Sequence, residues 1–370
     1  MKFLRKLILV IFLSKKNFNK PKKKKILIID KDLSEYIKFY FNKESSILDT
    51  RFDYLPKREI NMYILLKSFI KFKFSKFQYL CEYIRSVNPK VLVTLIDNNP
   101  TFYKFKKYFP NIKTIMIQNA LRTRHKLDIL GNLKLLDSKY FHVDYYFCFN
   151  EKIGLIFKRL LKCIPIPIGS FRSNFYYYKK KLKKKYDFLY ISIYRASIDP
   201  TKKDLFFFSN LEKYLISSNQ KLTILGSQIK DAKEEHEFYK KHFQRIKFVF
   251  IKNYKKRRTY EILDRAKITI NIDSTAGYES LIRFNKTAFF CLKATKPEFD
   301  SLRFGWPNTF KKRGNFWTNK NNYLEVCRVL NYLTKIDDKK FIKFNNKIIN
   351  TVIKKDTKNK EFKSLINKLI

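Results

Sequence analysis

Histidine and cysteine are scarce in this chain of 370 residues, four of the first and five of the second. The cysteines, Cys81, Cys148, Cys163, Cys291 and Cys327, form no CxxC pair and the histidines form no HExxH or His/Cys cluster, which excludes a sequence-local zinc site and reads as reduced thiols. No DxD-type motif stands out either, so neither a metal nor a cofactor is expected. No apolar run is long enough to span a bilayer, which needs about 20 residues; the longest near the N-terminus covers only Leu7 to Leu13. Acidic residues are few, 32 against 81 Lys+Arg, giving a net charge of +49. Only seven glycines accompany an abundance of Lys, Asn, Ile, Phe and Tyr. A/T-rich codon usage leaves that pattern without selection for binding, so two readings of the charge stand: compositional drift, or attraction to an anionic partner.

What is present suffices for a folded two-domain protein. The length exceeds that at which one core stops growing, and 45% hydrophobic with 17% aromatic residues excludes wholesale disorder. The apolar segment near the start is flanked by Lys15, Lys16 and Lys22 to Lys25. It reads as a membrane-resting segment, with a signal peptide or a frayed tail as the alternatives.

Short apolar runs bounded by charge read as buried parallel strands at residues 26–29, 91–97, 113–119, 144–150 and, as an edge strand or connector because of its prolines, 163–169. A basic linker covers 171–186. Strands resume at 187–194, 221–226, 246–251, 268–273 and 287–293, with helical stretches such as 205–217, 234–243 and 323–333. The alternation predicts an α/β fold of two Rossmann-like domains with parallel sheets facing a cleft. The expected bounds are a membrane-proximal tail at 1–20, an acceptor domain at 21–170, a donor domain at 187–320 and C-terminal helices at 321–370, the last of which crosses back to the first domain.

Ligands of open parallel sheets bind beyond the carboxyl ends of the strands. The polar residues there are Asp97, Asn98, Asn99, Gln118, Asn119 and Arg122 in the first half, and Arg195, Ser197, Gly226, Ser227, Asp273, Ser274, Thr275 and Gly277 in the second. Residues 266–290 read as strand, small-residue turn, helix and strand. A helix opening at Ser274 and Thr275 offers amides and a positive dipole end to a phosphate, and Glu279 is placed for a donor hydroxyl; an ordinary capped helix is the other reading. Asp97, with His125 behind it, is the expected general base, against plain turn and loop roles. The segment 304–319, with both tryptophans, reads as a packed loop or as a lid, and the basic run Lys255 to Arg258 as a solvated surface or an anion site.

The residues DSTAGYESLIRFNKTAFF resemble the donor-side motif of GT-B glycosyltransferases. Together with PKKKKILIIDK and NPKVLVTLIDNNPTFYKFKKYFPNIKTIMIQNALR they resemble a bacterial family of surface carbohydrate biosynthesis proteins, distantly similar to polysaccharide glycerophosphotransferases and capsule transferases. Where relatives commonly read Gln-Asn-Gly, this chain has Gln118-Asn119-Ala120. The resemblance implies a metal-independent transferase of surface polysaccharide or lipopolysaccharide synthesis, cytoplasmic or peripheral at the inner membrane face. Its implied partners are a nucleotide-activated sugar or polyol donor and a carbohydrate or lipid-linked acceptor; the basic, apolar N-terminal segment adds an expected contact with an anionic membrane. A nucleic-acid binder would show a compact basic reader module, which the chain lacks; a non-catalytic scaffold of the same machinery is the remaining alternative.

Overall fold

The computed structural model describes residues 12, 14–51, 58–72, 75–124, 128–131, 141–176, 182–195, 201–227, 231–252, 256–294 and 297–370. Its contacts divide the chain into two units. One holds Met1–Asn119, Leu127–Arg172 and Asn359–Ile370; the other holds Ala120–Lys126 and Ser173–Lys358.

In the first unit the apolar runs become strands of a parallel sheet. Chain order gives β1 (Lys15–Asn17), β2 (Ile26–Ile29), helix α1 (Ser34–Phe41), β3 (Ser45–Leu48), β4 (Glu59–Asn61), α2 (Met62–Ile70), α3 (Lys76–Val87), β5 (Val91–Thr94), α4 (Pro100–Tyr108), β6 (Lys113–Ile117), β7 (His142–Cys148), α5 (Glu151–Leu160) and β8 (Lys162–Pro167). The main sheet runs β3-β2-β5-β6-β7-β8, and β1 pairs with β4 apart from it. Every residue of β2 and β5 is buried, which explains their unbroken hydrophobicity. The proline-bearing β8 takes the sheet edge, where lost ladder donors are tolerated. Strand β3, SSIL, and the short β1 and β4 were illegible because their residues are polar or too few for a period.

Four helix starts in this unit are capped by side chains: Asn61, Ser75, Asn99 and Asn150 each accept a backbone N–H. Asn88 ends α3 in the left-handed conformation, φ 51°, a place glycine usually fills. An asparagine-rich chain with few glycines uses here a residue whose short polar side chain lets it adopt that region at low cost. The terminal helix, Lys360–Leu369, belongs to this unit. Its Phe362 meets the rings of Phe171, Phe147 and Phe41 at 4.9, 5.4 and 6.1 Å.

In the second unit the elements are β9 (Tyr186–Ile191), α6 (Lys202–Ser218), β10 (Leu222–Leu225), α7 (Ala232–His242), β11 (Phe248–Ile251), α8 (Lys256–Asp264), β12 (Ala266–Asn271), α9 (Thr275–Ile282), β13 (Lys286–Phe290), β14 (Arg313–Gly314), β15 (Trp317–Thr318), α10 (Tyr323–Lys335) and α11 (Asp338–Val352). The sheet order is β11-β10-β9-β12-β13-β15-β14. Its first five strands follow the doubly wound order third-second-first-fourth-fifth, and β15 extends the sheet in parallel beyond β13. The segment 304–319 is a packed hairpin region and not a lid: Phe304 stacks on Trp317 at 4.6 Å, and both tryptophans are buried. The charged stretch opening α8 and the apolar N-terminal run lie largely outside the described residues.

Candidate functional site

A doubly wound sheet opens a crevice where successive crossovers leave a central strand in opposite directions. In the second unit that point lies between β9 and β12. The chain leaves β9 through Ser192 to Arg195, and leaves β12 through Asp273 to Thr275.

The turn after β12 is built around Asn271. Its Oδ1 accepts the Ser274 amide at 3.1 Å, and the Ser274 hydroxyl oxygen accepts the Ala276 amide at 3.2 Å, capping α9. A Cβ on Gly277 would stand 2.2 Å from Asn271 Cγ, so this glycine is required by the neighbouring asparagine, a reason nearer to hand than approach of a ligand. Thr275 Oγ1 accepts the Leu121 amide at 3.0 Å. Both hydroxyls are therefore occupied as acceptors, and each keeps its hydrogen to donate. Asp273 is paired with Lys293 at 2.9 Å. Glu279 is buried one turn after Thr275, on the same face of the helix.

The helix is held rigidly behind this tip. Ser280 Oγ donates to Thr269 Oγ1 at 3.1 Å and Thr287 Oγ1 donates to Ser280 Oγ at 3.2 Å, joining α9 to β12 and β13. Past its last turn, Arg283 lies in a bidentate pair with Asp264, Nε to Oδ1 at 2.8 Å. The same guanidinium donates to the Tyr176 carbonyl at 2.9 Å and lies over the Tyr260 ring at 5.3 Å.

Opposite, the loop after β9 is shaped by Glu235 and Tyr239 of α7, which sequence reasoning passed over as two more residues of an amphipathic helix. The Ser192 hydroxyl donates to Glu235, whose Oε1 also accepts the Ser227 amide at 2.8 Å. Tyr239 lies 2.9 Å from Ser192 Oγ and accepts the Ile193 amide at 3.2 Å; burial pushes its hydroxyl up, which keeps it a neutral donor. A Cβ on Gly226 would come 3.1 Å from Glu235 Oε2, so Gly226 makes room for that carboxylate. Gly226 and Ser227 thus brace the loop, and Arg195 stands exposed at its end. Ser197 lies outside the described residues.

The segment 120–124 belongs to this unit as well. Arg122 is buried there, Arg124 donates its amide to Ser301 Oγ at 3.1 Å, and its guanidinium lies 5.7 Å from the Trp306 ring. Arg122 follows Leu121, whose amide meets Thr275 at the start of α9, and so belongs to the second unit. His125 lies outside the described residues.

In the first unit the corresponding point lies between β2 and β5. Asp97 is fully buried, and its Oδ1 accepts the Asn119 amide at 3.2 Å while the Tyr103 hydroxyl donates to its carbonyl. Gln118 is a strand brace: its amide donates to the Phe147 carbonyl and its Oε1 accepts the Phe149 amide, both at 2.8 Å. Asn119 offers its carbonyl to Arg172 at 3.3 Å. Asn98 is exposed; Asn99 caps α4.

Asn99 also reveals a residue that the sequence hid. Its Nδ2 donates at 3.3 Å to Asp30, which ends β2 with φ 77°, buried and bonded to the Thr50 hydroxyl. Burial, against the pull of Thr50, Arg51 and Asn99, holds the Asp30 carboxyl above the usual range. A buried carboxylate in left-handed backbone at the centre of a sheet is unusual enough to mark the place. In the sequence it was merely the polar end of an apolar run.

Among the described residues no three His, Cys, Asp or Glu side chains converge to hold a metal ion, and no helix is long and apolar enough to cross a membrane.

Solved structures share this fold. The wall teichoic acid polymerase TagF with CDPG is similar at a TM-score of 0.55 and 12% identity, over 100% of this chain and 93% of that one. A UDP-N-acetylglucosamine 2-epimerase matches at 0.53 and 11%, over 88% and 91%. A Listeria monocytogenes protein assigned to the same epimerase activity matches at 0.51 and 12%, over 89% and 90%. No curated protein matches the sequence. The two sheets and these neighbours together make the fold GT-B. A family model described as "putative O-antigen biosynthesis protein" matches residues 115–370. With more than two thirds of its length matched, the chain belongs to that O-antigen biosynthesis family, whose field is the synthesis of surface polysaccharide.

Proposed function

We propose that the chain transfers a sugar or a polyol phosphate from a nucleotide-activated donor to a carbohydrate or lipid-linked acceptor. The observation that carries this reading is the tip of α9. It stands at the crevice point of a dinucleotide-type sheet, with the hydrogens of Ser274 and Thr275 left to donate. The neighbour described with CDPG supports a nucleotide ligand.

In this proposal the donor diphosphate lies on the α9 tip, with Arg195 and Lys293 adding positive charge, and Glu279 accepts from donor hydroxyls. Asp273 holds Lys293, and Gly226, Ser227 and Gly277 give the loops their shape. Departing phosphate is stabilised by the helix dipole and cationic side chains, without a metal. Asn98, Asn99, Gln118, Asn119 and Arg122 belong to the acceptor side, Gln118 as a brace. Asp97, with His125 behind it, takes the acceptor proton in this proposal, histidine being the side-chain type whose proton affinity lies nearest neutral pH.

The bond that breaks identifies the reaction. Attack of an acceptor oxygen on an anomeric carbon releases the nucleoside phosphate or diphosphate that carried the sugar. Attack on the distal phosphorus of a nucleoside diphosphate polyol transfers the polyol phosphate and releases the nucleoside monophosphate. The test is nucleotide release from CMP-, CDP-, UDP- and GDP-linked donors in the presence of lipid-linked acceptor. One donor is expected to turn over, and His125→Ala to slow it at least about 100-fold with KM little changed. Release from none of them, or full activity in that variant, contradicts the assignment. Asp97→Ala strands the Asn119 amide and is expected to cost about 1–3 kcal/mol of stability, read from denaturant unfolding.

A further inference from the structure

Helix α2 is apolar on both of its faces. Ile64 and Leu65 are buried, whereas Leu66 and Ile70, one turn apart on the other side, are 56% and 79% exposed, and Phe72 just beyond the helix is 83% exposed. A helix apolar all round ordinarily has both sides covered, and three large side chains at one helix end exceed scattered single exposures.

Basic side chains flank this face. Strand β1 pairs in parallel with β4, which ends at the α2 cap Asn61, and Asn61 Nδ2 donates to the Asn19 carbonyl at 2.8 Å. That pairing brings the exposed Lys15, Lys16 and Phe18 to the start of the helix. At the other end Lys71, paired with Glu82 at 3.1 Å, remains half exposed.

We propose that the exposed face of α2, with the β1 segment, docks on an anionic phospholipid bilayer. Leu66, Ile70 and Phe72 enter the acyl boundary, and Lys15, Lys16 and Lys71 meet the headgroup phosphates. Leu66 and Ile70 have no π-face to stack on bases, so a nucleic acid would leave most of this face unsatisfied, whereas transfer from water into lipid suits all three apolar side chains. The lysines complement the negative surface potential of such a membrane. The inference stands apart from the transferase reading and does not depend on it.

The test is co-sedimentation of the full chain with vesicles of phosphatidylcholine alone and of phosphatidylcholine mixed with phosphatidylglycerol. Binding is expected with the mixed vesicles only and to weaken with salt. Replacing Lys15 and Lys16 by Gln is expected to weaken it by about fivefold per lysine. The triple variant Leu66→Gln, Ile70→Gln, Phe72→Gln is expected to lose at least about tenfold. Ile70→Trp provides a readout in a folded chain, because the native Trp306 and Trp317 are buried: its emission should shift to the blue on adding mixed vesicles. An unmoved emission overturns the proposal, as does undiminished sedimentation of a triple variant with a normal melting curve. Binding of a single-stranded oligonucleotide without any vesicle binding overturns it as well.

Discussion

An Arg283→Ala variant is expected to lose about 3–5 kcal/mol of stability, the usual consequence of removing one partner from a buried ion pair. Arg283 and Asp264 are 8% and 13% exposed at their side chains, and the pair is bidentate. Deleting the guanidinium leaves the Asp264 carboxylate to the Asn285 amide, 3.0 Å away. It also frees the carbonyls of Ser173 and Tyr176 that the arginine had satisfied. The melting midpoint should fall on the order of 10 °C. Lysine at this position is not a rescue, since a single ammonium cannot make the fork. A variant that melts with the wild type refutes the view that this clamp fixes the C-terminal end of α9.

Gly277→Val is expected to be the second severe change. The position has helical backbone, so its effect comes from contact and not from φ. The first added carbon would already lie 2.2 Å from Asn271 Cγ and 2.6 Å from its Cβ, well inside contact distance. Asn271 cannot retreat freely, because it is fully buried and its Oδ1 holds the Ser274 amide. Overpacking of this kind costs typically about 1–3 kcal/mol, and displacement of Asn271 would release the turn that aims the α9 tip. Loss of donor binding exceeding the loss of stability is therefore predicted, read by comparing a thermal melt with a nucleotide titration. A Gly277→Val chain that binds donor as the wild type does would show that the turn tolerates rearrangement.

The sheets were legible because β2, β5, β6, β9, β10, β12 and β13 are short apolar runs closed by charge, and burial on both faces permits nothing else. β3 was not, because Ser45 and Ser46 break the pattern and only its pairing with β2 makes it a strand. The second-unit site was legible in part. Ser274, Thr275 and Asp273 follow an unmistakable strand and open a helix, so their place at the crevice point follows from strand order alone. Glu235, Tyr239 and Lys293 are far from them in sequence and identical in type to many surface residues; only the fold brings Glu235 under Ser192 and Lys293 beside Asp273. Asp97 was legible as a carboxylate after a strand, whereas its burial and its bond to the Asn119 amide, which ties one loop to the next, come only with the fold. At Gly277 the sequence suggested clearance for a ligand, and the fold adds that Asn271 needs the same space.

In the proposed function the α9 tip grips a nucleotide diphosphate. Its most direct measurement is titration calorimetry of CDP, UDP and GDP, with the corresponding nucleosides as controls, against the wild type, Thr275→Val and Glu279→Gln. At least one nucleotide should bind where its nucleoside binds far more weakly. Thr275→Val should weaken it by about tenfold through loss of the donated hydroxyl hydrogen, a charge-assisted bond of roughly 1.5–3 kcal/mol. Glu279→Gln should weaken it again where a ribose or sugar hydroxyl is present. Nucleosides binding as tightly as their diphosphates, or affinities that both variants leave untouched, would contradict the account.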